Sequence, residues 1–372
     1  MAEVSVIILH PRDPAAGPLG RLLDEARERL AAHQGRLFAA AGAGAVKHER
    51  ARASSFGALL AELARDRGEH GLVVLGAGAV ARLGPADAAR LVAAAASGRR
   101  LALTNNRYSS DVCAVGQSGP LRDLPALPSD NALPRWLAEH AGFEVEELPA
   151  RERLAFDLDS PLDLAILALR HDAPATLRQL AREADLQVPR LAELRALLAD
   201  PRAELLVAGR SSSATLRWLE RHSACRVRFL AEERGLRASS PLAQRGRPAA
   251  PARPPARSPH SLLGRLLAAR GPEALAATVA ELADGALIDS RVLLADRLGV
   301  DEAAWPAPEE RFGSDLLRPA AIVDPWLRAL TGSARGSVPP ILLGGHTLLG
   351  PALPLLGGAA DAGPEQPGGL AP

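Results

Sequence analysis

GLVVLGAGAVARLGPADAARLV, residues 71–92, carries the strongest structural signal in the chain. Its first six residues form a continuous apolar run, which is typical of a strand buried on both faces. Small residues follow, and a helix is predicted from Pro85 because proline is favoured in the first turn of a helix. A buried strand that leads into a helix is the repeating unit of parallel α/β sheets.

The same alternation continues on both sides of this stretch. Strands are predicted at 4–9, 36–41, 101–104 and 111–115, and helices at 18–33, 55–66 and 85–97. Further along, the patterns predict a capped helix at 129–142, an edge strand at 144–148, and a strand, a turn and a helix within 154–171. Residues 1–172 are therefore predicted to form an α/β domain around a mostly parallel sheet.

The remaining residues are predicted to form a second domain, either α/β or mainly helical. AELLVAGRSSSATLRWLERHS, 203–223, has the pattern of a strand, a small-residue turn and a helix, and helical periodicity dominates 261–298. We assign 173–238 and 259–355 to this domain. The segments outside it are a Pro- and Arg-rich linker or long loop, 239–258, and a disordered tail, 356–372.

Composition limits the classes of partner. The net charge of +1 gives no global field that would recruit nucleic acid or an anionic membrane. Cys113 and Cys225 lack the spacing of a zinc site or a disulfide framework, and the amino terminus lacks a basic signal region. Residues 338–360 carry no charge, but four prolines and five glycines favour a strand, a turn and a short helix over a membrane span. We expect a cytoplasmic protein.

The segment FDLDSPLDL, 156–164, contains two acids at spacing i and i+2, where side chains of a strand share a face. Asp157 and Asp159 could therefore approach one hard cation such as Mg²⁺. Ser160 is predicted to cap the next helix, with Asp163 in its first turn. The alternative is a solvated strand end followed by a helix cap.

A dense row of polar residues lies between two apolar runs in LALTNNRYSSDVCAVG, 101–116. Amides, a guanidinium, hydroxyls and the only tyrosine of the chain suit recognition of a base, a sugar or a phosphate. The candidate ligand-binding residues are Asn105, Asn106, Arg107, Tyr108, Ser109, Ser110 and Asp111. The alternative is a polar turn between strands. Asp130 and Asn131 are predicted to cap a helix.

The stretch at 71–92, the LTNN strand, SDNALPRWLAEHAG and FDLDSPLDLAIL together resemble the molybdenum-cofactor guanylyltransferase-like group of nucleotidyltransferases. Within that group, the chain looks most like the phospholactate guanylyltransferases of deazaflavin cofactor synthesis. The resemblance covers about the first 170 residues. It implies a nucleotide-diphospho-sugar-transferase-like fold in which an NTP binds at the carboxyl ends of parallel strands.

The resemblance also implies a reaction and a set of ligands. A substrate phosphate would attack the α-phosphorus of the NTP, and pyrophosphate would leave. Asp157 and Asp159 would hold Mg²⁺, while Asn105, Asn106 and Arg107 would face the nucleotide or the acceptor. The partner is therefore a nucleotide or a phosphorylated small molecule.

The chain departs from that group in two places. The loop after the first strand, in VIILHPRDPAAGPLG, is not the glycine-rich basic loop that cradles the triphosphate in the group. The stretch LGAGAVARLGP lacks the aspartate that supplies the first metal ligand there. Two interpretations stay open, which are an active nucleotidyltransferase and a catalytically degenerate nucleotide- or metabolite-binding regulatory protein.

The second half offers its own candidates, so activity in that half is a third interpretation. Gly209, Arg210, Ser211 and Ser212 lie between a predicted strand and a helix, where free backbone amides bind anions. His346 follows two glycines and could do acid–base work with Asp289, Asp315 or Asp324. Serine caps and a structural histidine are the alternatives.

Overall fold

The protein was analysed as a computed structural model. It describes residues 4–12, 16–50, 55–65, 70–127, 130–149, 152–232 and 260–358. The chain is an α/β protein with a six-stranded mixed sheet and a four-stranded parallel sheet. The predicted linker at 239–258 and most of the predicted tail at 356–372 lie outside the described residues.

The first sheet has the strand order β2-β1-β3-β5-β4-β6, and only β5 runs antiparallel to its neighbours. Its strands are β1 (Val4–His10), β2 (Ala45–Arg50), β3 (Gly71–Gly76), β4 (Leu101–Thr104), β5 (Val112–Val115) and β6 (Glu144–Glu147). The carboxyl ends of the parallel strands therefore share one edge of the sheet, called the carboxyl edge below.

Helices cover both faces of this sheet, as the apolar run in β3 predicts. They are α1 (Pro18–Ala40), α2 (Phe56–Arg65), α3 (Pro85–Ala95) and α4 (Leu133–His140). Val73 packs in a buried cluster with residues of α1 and α3, whereas Val74 packs with residues of α2 and α4. Alternate residues of β3 thus enter opposite cores.

The strand predicted at 36–41 is wrong, because residues 36–40 form the last turn of α1. Phe38 is fully buried and follows buried Leu30, Ala31 and Gln34 at helical spacing, so packing of this face extends the helix. The second strand lies further on, at β2. Its sequence AVKHER is mostly polar, and its residues are intermediate or exposed, as an edge strand allows.

The strand predicted at the start of 154–171 is also absent from the described sheets. Residues 156–159 are extended, but they bond to the loop after β3 instead of to a strand. The Leu158 amide donates to the Gly78 carbonyl at 2.9 Å, and the Ala81 amide donates to the Phe156 carbonyl at 2.7 Å. The helix predicted after this segment is confirmed as α5 (Pro161–Leu167), with Ser160 as its N-cap.

The second sheet has the order β10-β9-β7-β8, and its strands are all parallel. They are β7 (Glu204–Gly209), β8 (Arg226–Ala231), β9 (Gly285–Asp289) and β10 (Ile341–Gly344). The accompanying helices are α6 (Ala175–Glu183), α7 (Leu191–Ala199), α8 (Ser213–His222), α9 (Leu262–Arg270), α10 (Leu275–Leu282), α11 (Ser290–Leu298), α12 (Pro308–Asp315), α13 (Pro325–Gly336) and α14 (Leu353–Leu356). The prediction of helices throughout 261–298 is wrong for residues 285–289, which form β9.

One hydrophobic core cluster connects helices beside the first sheet with the second sheet. Leu23 of α1 and Leu162 of α5 belong to the same cluster as Leu205 and Val207 of β7. The carboxyl end of β10 is close to α5, since a Cβ on Gly344 would lie 3.4 Å from Leu162. Within the described parts of the chain, the helices are too short or too polar to cross a membrane.

Candidate functional site

Asn105 is buried and holds the loop after β4 together. Its Nδ2 donates to Asp111 Oδ2 at 2.7 Å and to the Leu154 carbonyl at 3.2 Å. Its Oδ1 accepts from the amides of Asp111 and Val112, at 2.9 and 3.4 Å. Both the nitrogen and the oxygen of this side-chain amide are therefore hydrogen-bonded within the protein, and the amide orients the Asp111 carboxyl.

The next three residues form a partly exposed turn. Asn106 Oδ1 accepts from the Tyr108 amide at 3.0 Å, the geometry of an Asx turn. The Arg107 guanidinium donates to the Val145 carbonyl on β6. The Tyr108 side chain is 65% exposed. The turn interpretation accounts for these contacts, and Tyr108 is the member most open to a ligand.

The two serines connect this loop to its surroundings. Ser109 Oγ donates to Asn131 Oδ1 at 2.8 Å. Ser110 is buried, and its Oγ accepts from Thr104 Oγ1 at 2.9 Å. Both hydroxyls thus make hydrogen bonds within the protein. The Asp111 carboxyl is the acidic group of this loop.

The Asp157 carboxyl is held by the loop after β3. Its Oδ1 accepts from the Val80 amide at 2.8 Å. Val80 has a φ of +43°, a left-handed conformation that β-branched residues rarely adopt. Gln34 Nε2 supports this conformation by donating to the carbonyls of Ala79 and Val80, at 2.8 and 3.3 Å. Such strain, held by its surroundings, is common where a fold positions a functional group.

Carboxyl groups from separate segments lie within electrostatic reach of one another at the carboxyl edge. Burial raises the pKa of Asp157 well above its usual range, and the charges of Asp111, Asp159 and Asp130 raise it further. The hydrogen bond from Val80 opposes this shift. We call these four acids the carboxylate cluster. Its side chains keep partial solvent contact, and that of Asp159 is 55% exposed.

Two further members of the cluster have raised pKa values. Burial raises the pKa of Asp111 to about 7, while the hydrogen bond from Asn105 and the charge of Arg210 oppose the shift. Burial also raises the pKa of Asp130 to about 6. Burial and mutual repulsion therefore disfavour the charged forms of these carboxyls, and a bound cation would favour the charged forms.

Sequence reasoning missed Asp130 as a site residue because it was predicted to cap a helix. The structure contradicts that cap, since α4 starts at Leu133 with Ala132 as its N-cap and without a side-chain cap. Sequence reasoning also placed Arg210 in a separate site. Its charge lowers the pKa of Asp111, so Arg210 lies within electrostatic reach of the carboxylate cluster.

The carboxylate oxygens suit Mg²⁺ chemically. Over the described ranges, three or more His, Cys, Asp or Glu side chains nowhere converge as a complete metal cage. Mg²⁺ does not require one, because it usually binds one or two carboxylates and completes its shell with water and substrate phosphates. Asp157 and Asp159, the ligands predicted from the sequence, are the residues that would hold it.

A cavity of about 360 Å³ opens at the carboxyl ends of β1 and β2, and its lining includes three carboxylates, those of Asp24, Glu25 and Glu28. Arg21, Arg27 and Arg50 contribute guanidinium groups to its lining. Arg27 also donates to the Leu158 carbonyl at 2.9 Å, and its Nη2 lies 3.8 Å from Asp159 Oδ1. This arginine therefore connects the cavity with the carboxylate cluster.

The amino end of α1 already holds an anion from the protein itself. Glu309 of α12 accepts from the amides of Leu19 and Gly20, both at 3.0 Å. Gly17 has a φ of +85°, and a Cβ there would lie 2.4 Å from the Glu309 carboxyl. The start of α1 thus has the geometry of a helix N-terminal anion site, occupied by a carboxylate.

The candidates of the second half lie at the carboxyl end of β7. Ser211 Oγ donates to the Leu349 carbonyl at 2.8 Å, and Ser212 caps α8 by accepting from the Thr215 amide at 3.3 Å. Gly209 has a φ of +134°, and His346 lies in the partly exposed turn after β10. The acids considered as partners of His346 have other roles, since Asp289 and Asp324 cap helices and Asp315 pairs with Arg291.

We compared the chain with models of protein families and with curated proteins. No family model matches it, and no curated protein matches it. The chemistry of the carboxyl edge is therefore the basis for the functional proposal.

Proposed function

We propose that the protein is a nucleotidyltransferase-like protein that binds an NTP with Mg²⁺ at the carboxylate cluster. The observation that carries the proposal is that Asp111, Asp130, Asp157 and Asp159, from three separate chain segments, lie within electrostatic reach of one another. Three of these carboxyls have raised pKa values. Such shifts are common at functional sites, and a bound cation would stabilise the charged forms. The resemblance of the first 170 or so residues to guanylyltransferases agrees with this chemistry.

Each part of the ligand has a counterpart among the side chains. Asp157 and Asp159 would hold Mg²⁺, which would spread the charge that develops on the phosphate oxygens. Arg27 and Arg210 approach the cluster from opposite halves of the chain and could pair with phosphate oxygens. An acceptor phosphate oxygen would bond to the α-phosphorus as the bond to pyrophosphate breaks.

A nucleotide-diphospho-sugar-transferase-like fold is part of this proposal. It is supported by the mostly parallel order of the first sheet and by the position of the candidate ligands at its carboxyl edge. Ligands of open α/β sheets bind outside the carboxyl ends of strands.

A second candidate is a regulatory protein that binds a nucleotide or metabolite without transferring it. Glu309 favours this candidate, because its carboxylate binds the amides at the start of α1. This position is next to the loop that corresponds to the triphosphate-binding loop of the guanylyltransferase-like group. The loop after β3 also lacks the acid of those enzymes and presents the Val80 amide to Asp157.

Thermal unfolding distinguishes the candidates. GTP, ATP, CTP and UTP are each added with and without Mg²⁺, and a ligand of the folded state raises Tm by mass action. The proposal predicts a Mg²⁺-dependent rise that disappears in Asp157→Asn and persists in Asp301→Asn, a matched change at an exposed cap. A rise without Mg²⁺ supports the regulatory candidate, and no rise with any nucleotide contradicts both.

A further inference from the structure

The second sheet has a topological switch point between β7 and β9. The chain leaves β7 toward β8 on one side and returns to β9 on the other, giving the order β10-β9-β7-β8. At such a point, the connections after two adjacent parallel strands diverge and leave a crevice, which is where open α/β sheets bind ligands. Gly209 and Asp289 end these two strands.

Asp289 is buried, with 1% of its surface exposed, and one of its oxygens is unpaired. Its Oδ1 caps α11 by accepting from the Arg291 amide at 3.0 Å. Its Oδ2 has no hydrogen-bond partner within the described chain, and the same holds for Thr347 Oγ1 in the turn after β10. Buried unpaired oxygens are rare in folded proteins, and water, an ion or a ligand commonly satisfies them.

The loop after β7 lies directly on Asp289. A Cβ on Gly209 would lie only 2.3 Å from the Asp289 Cβ, so the loop requires glycine here. The same loop leads into α8, whose first residue, Ser213, is exposed. The Thr215 amide is bonded to the Ser212 cap, and the amides before it at the start of this ten-residue helix favour an anion.

The turn at 345–350 covers the crevice. Leu349 would lie 3.0 Å from a Cβ on Gly209, and the Leu349 carbonyl accepts from Ser211 Oγ. Gly345 borders open space, since nothing lies within 4 Å of its Cβ position. A ligand reaches Asp289 by displacing this turn, which also contains Thr347.

We propose that this crevice binds a second ligand, a phosphorylated compound with neighbouring hydroxyls, of the ribose phosphate class. The phosphate accepts from the amides at the start of α8. A hydroxyl donates to Asp289 Oδ2, a role that a carboxylate acceptor at a strand end fulfils for ribose. Asp289 is not a member of the carboxylate cluster, and this proposal does not depend on the nucleotide proposal.

The test is isothermal titration of the full chain with ribose 5-phosphate, inorganic phosphate and ribose. Asp289→Asn keeps the α11 cap, because asparagine caps as well as aspartate, but it replaces one acceptor oxygen by an NH₂ group. Ser213→Glu places a competing carboxylate at the start of α8. Ala175→Glu makes the same change at the exposed start of α6 and is its control.

We expect wild type and Ala175→Glu to bind ribose 5-phosphate more tightly than inorganic phosphate. Asp289→Asn should weaken ribose 5-phosphate at least tenfold and leave inorganic phosphate unchanged, whereas Ser213→Glu should weaken both. Binding in Asp157→Asn should equal wild type, which separates this site from the carboxylate cluster. The proposal is overturned if ribose 5-phosphate does not bind wild type, or if Asp289→Asn binds it as well as wild type does.

Discussion

Removing the Glu309 carboxylate should weaken the connection between the two halves of the chain. Glu309 accepts two hydrogen bonds from backbone amides of α1. A hydrogen bond to a charged group contributes about 1.5–3 kcal/mol, and water replaces part of this contribution because Glu309 is only partly buried. Glu309→Ala should therefore lower the free energy of unfolding by about 2–3 kcal/mol, and Glu309→Gln by about 1 kcal/mol.

Urea unfolding followed by circular dichroism measures this change, and calorimetry should show a Tm lower by ~3–4 °C in Glu309→Ala. Glu139→Ala removes an exposed carboxylate that pairs with Arg135 on the same helix and should change stability by less than about 0.5 kcal/mol. Gly17→Ala should destabilise through the same contact, so its effect should not add to that of Glu309→Ala. Equal stability of wild type and Glu309→Ala would refute the stabilising role of the Glu309 carboxylate at the start of α1.

The same variant reports on ligand access. Without Glu309, the amides of Leu19 and Gly20 are free to bind another anion. Pyrophosphate should then raise the Tm of Glu309→Ala more than it raises the Tm of wild type. An equal rise in both proteins would show that this end of α1 does not receive phosphate.

Three other perturbations test separate parts of the structure. The raised pKa of Asp111, about 7, exceeds that of an unfolded aspartate, so its contribution to stability should fall as pH rises from about 4 to about 7. Asp111→Asn should therefore have a higher Tm than wild type at pH 8 but not at pH 4, as calorimetry can check. Phe38→Ala should cost about 3–5 kcal/mol in urea unfolding, since Phe38 is fully buried; a change under about 1 kcal/mol would contradict the extended α1. Arg210→Ala should raise the pKa of Asp111 as followed by carboxyl NMR, and an unchanged value would separate Arg210 from the cluster.

The α/β class could be predicted from the sequence because its signals are local. The run GLVVLG predicts the buried strand β3, and Ser160 with Pro161 predicts the start of α5. Residues 36–40 could not be assigned correctly from local patterns. Their helical state depends on where Phe38 packs, and AVKHER has too few apolar residues to indicate the strand that follows.

The site was only partly predictable for the same reason. Asp157 and Asp159 were found because they are neighbours in sequence, whereas Asp130 and Arg210 join them only through the fold. The role of Asn105 could not be predicted either, because the sequence does not distinguish an amide that orients Asp111 from an amide that faces a ligand. Glu309 lies 289 residues from Gly20, and no local pattern relates the two.

The central claim is that the carboxylate cluster holds a divalent cation together with a nucleotide. A crystal structure with Mn²⁺ in place of Mg²⁺ and a non-hydrolysable GTP analogue tests it most directly, because anomalous scattering locates the ion. We predict an anomalous peak at a coordination distance of about 2.1 Å from an oxygen of Asp157 or Asp159, with nucleotide phosphate as a further ligand. An ion and a nucleotide bound away from these carboxylates, or a cluster that stays without metal at saturating Mn²⁺, would contradict the claim.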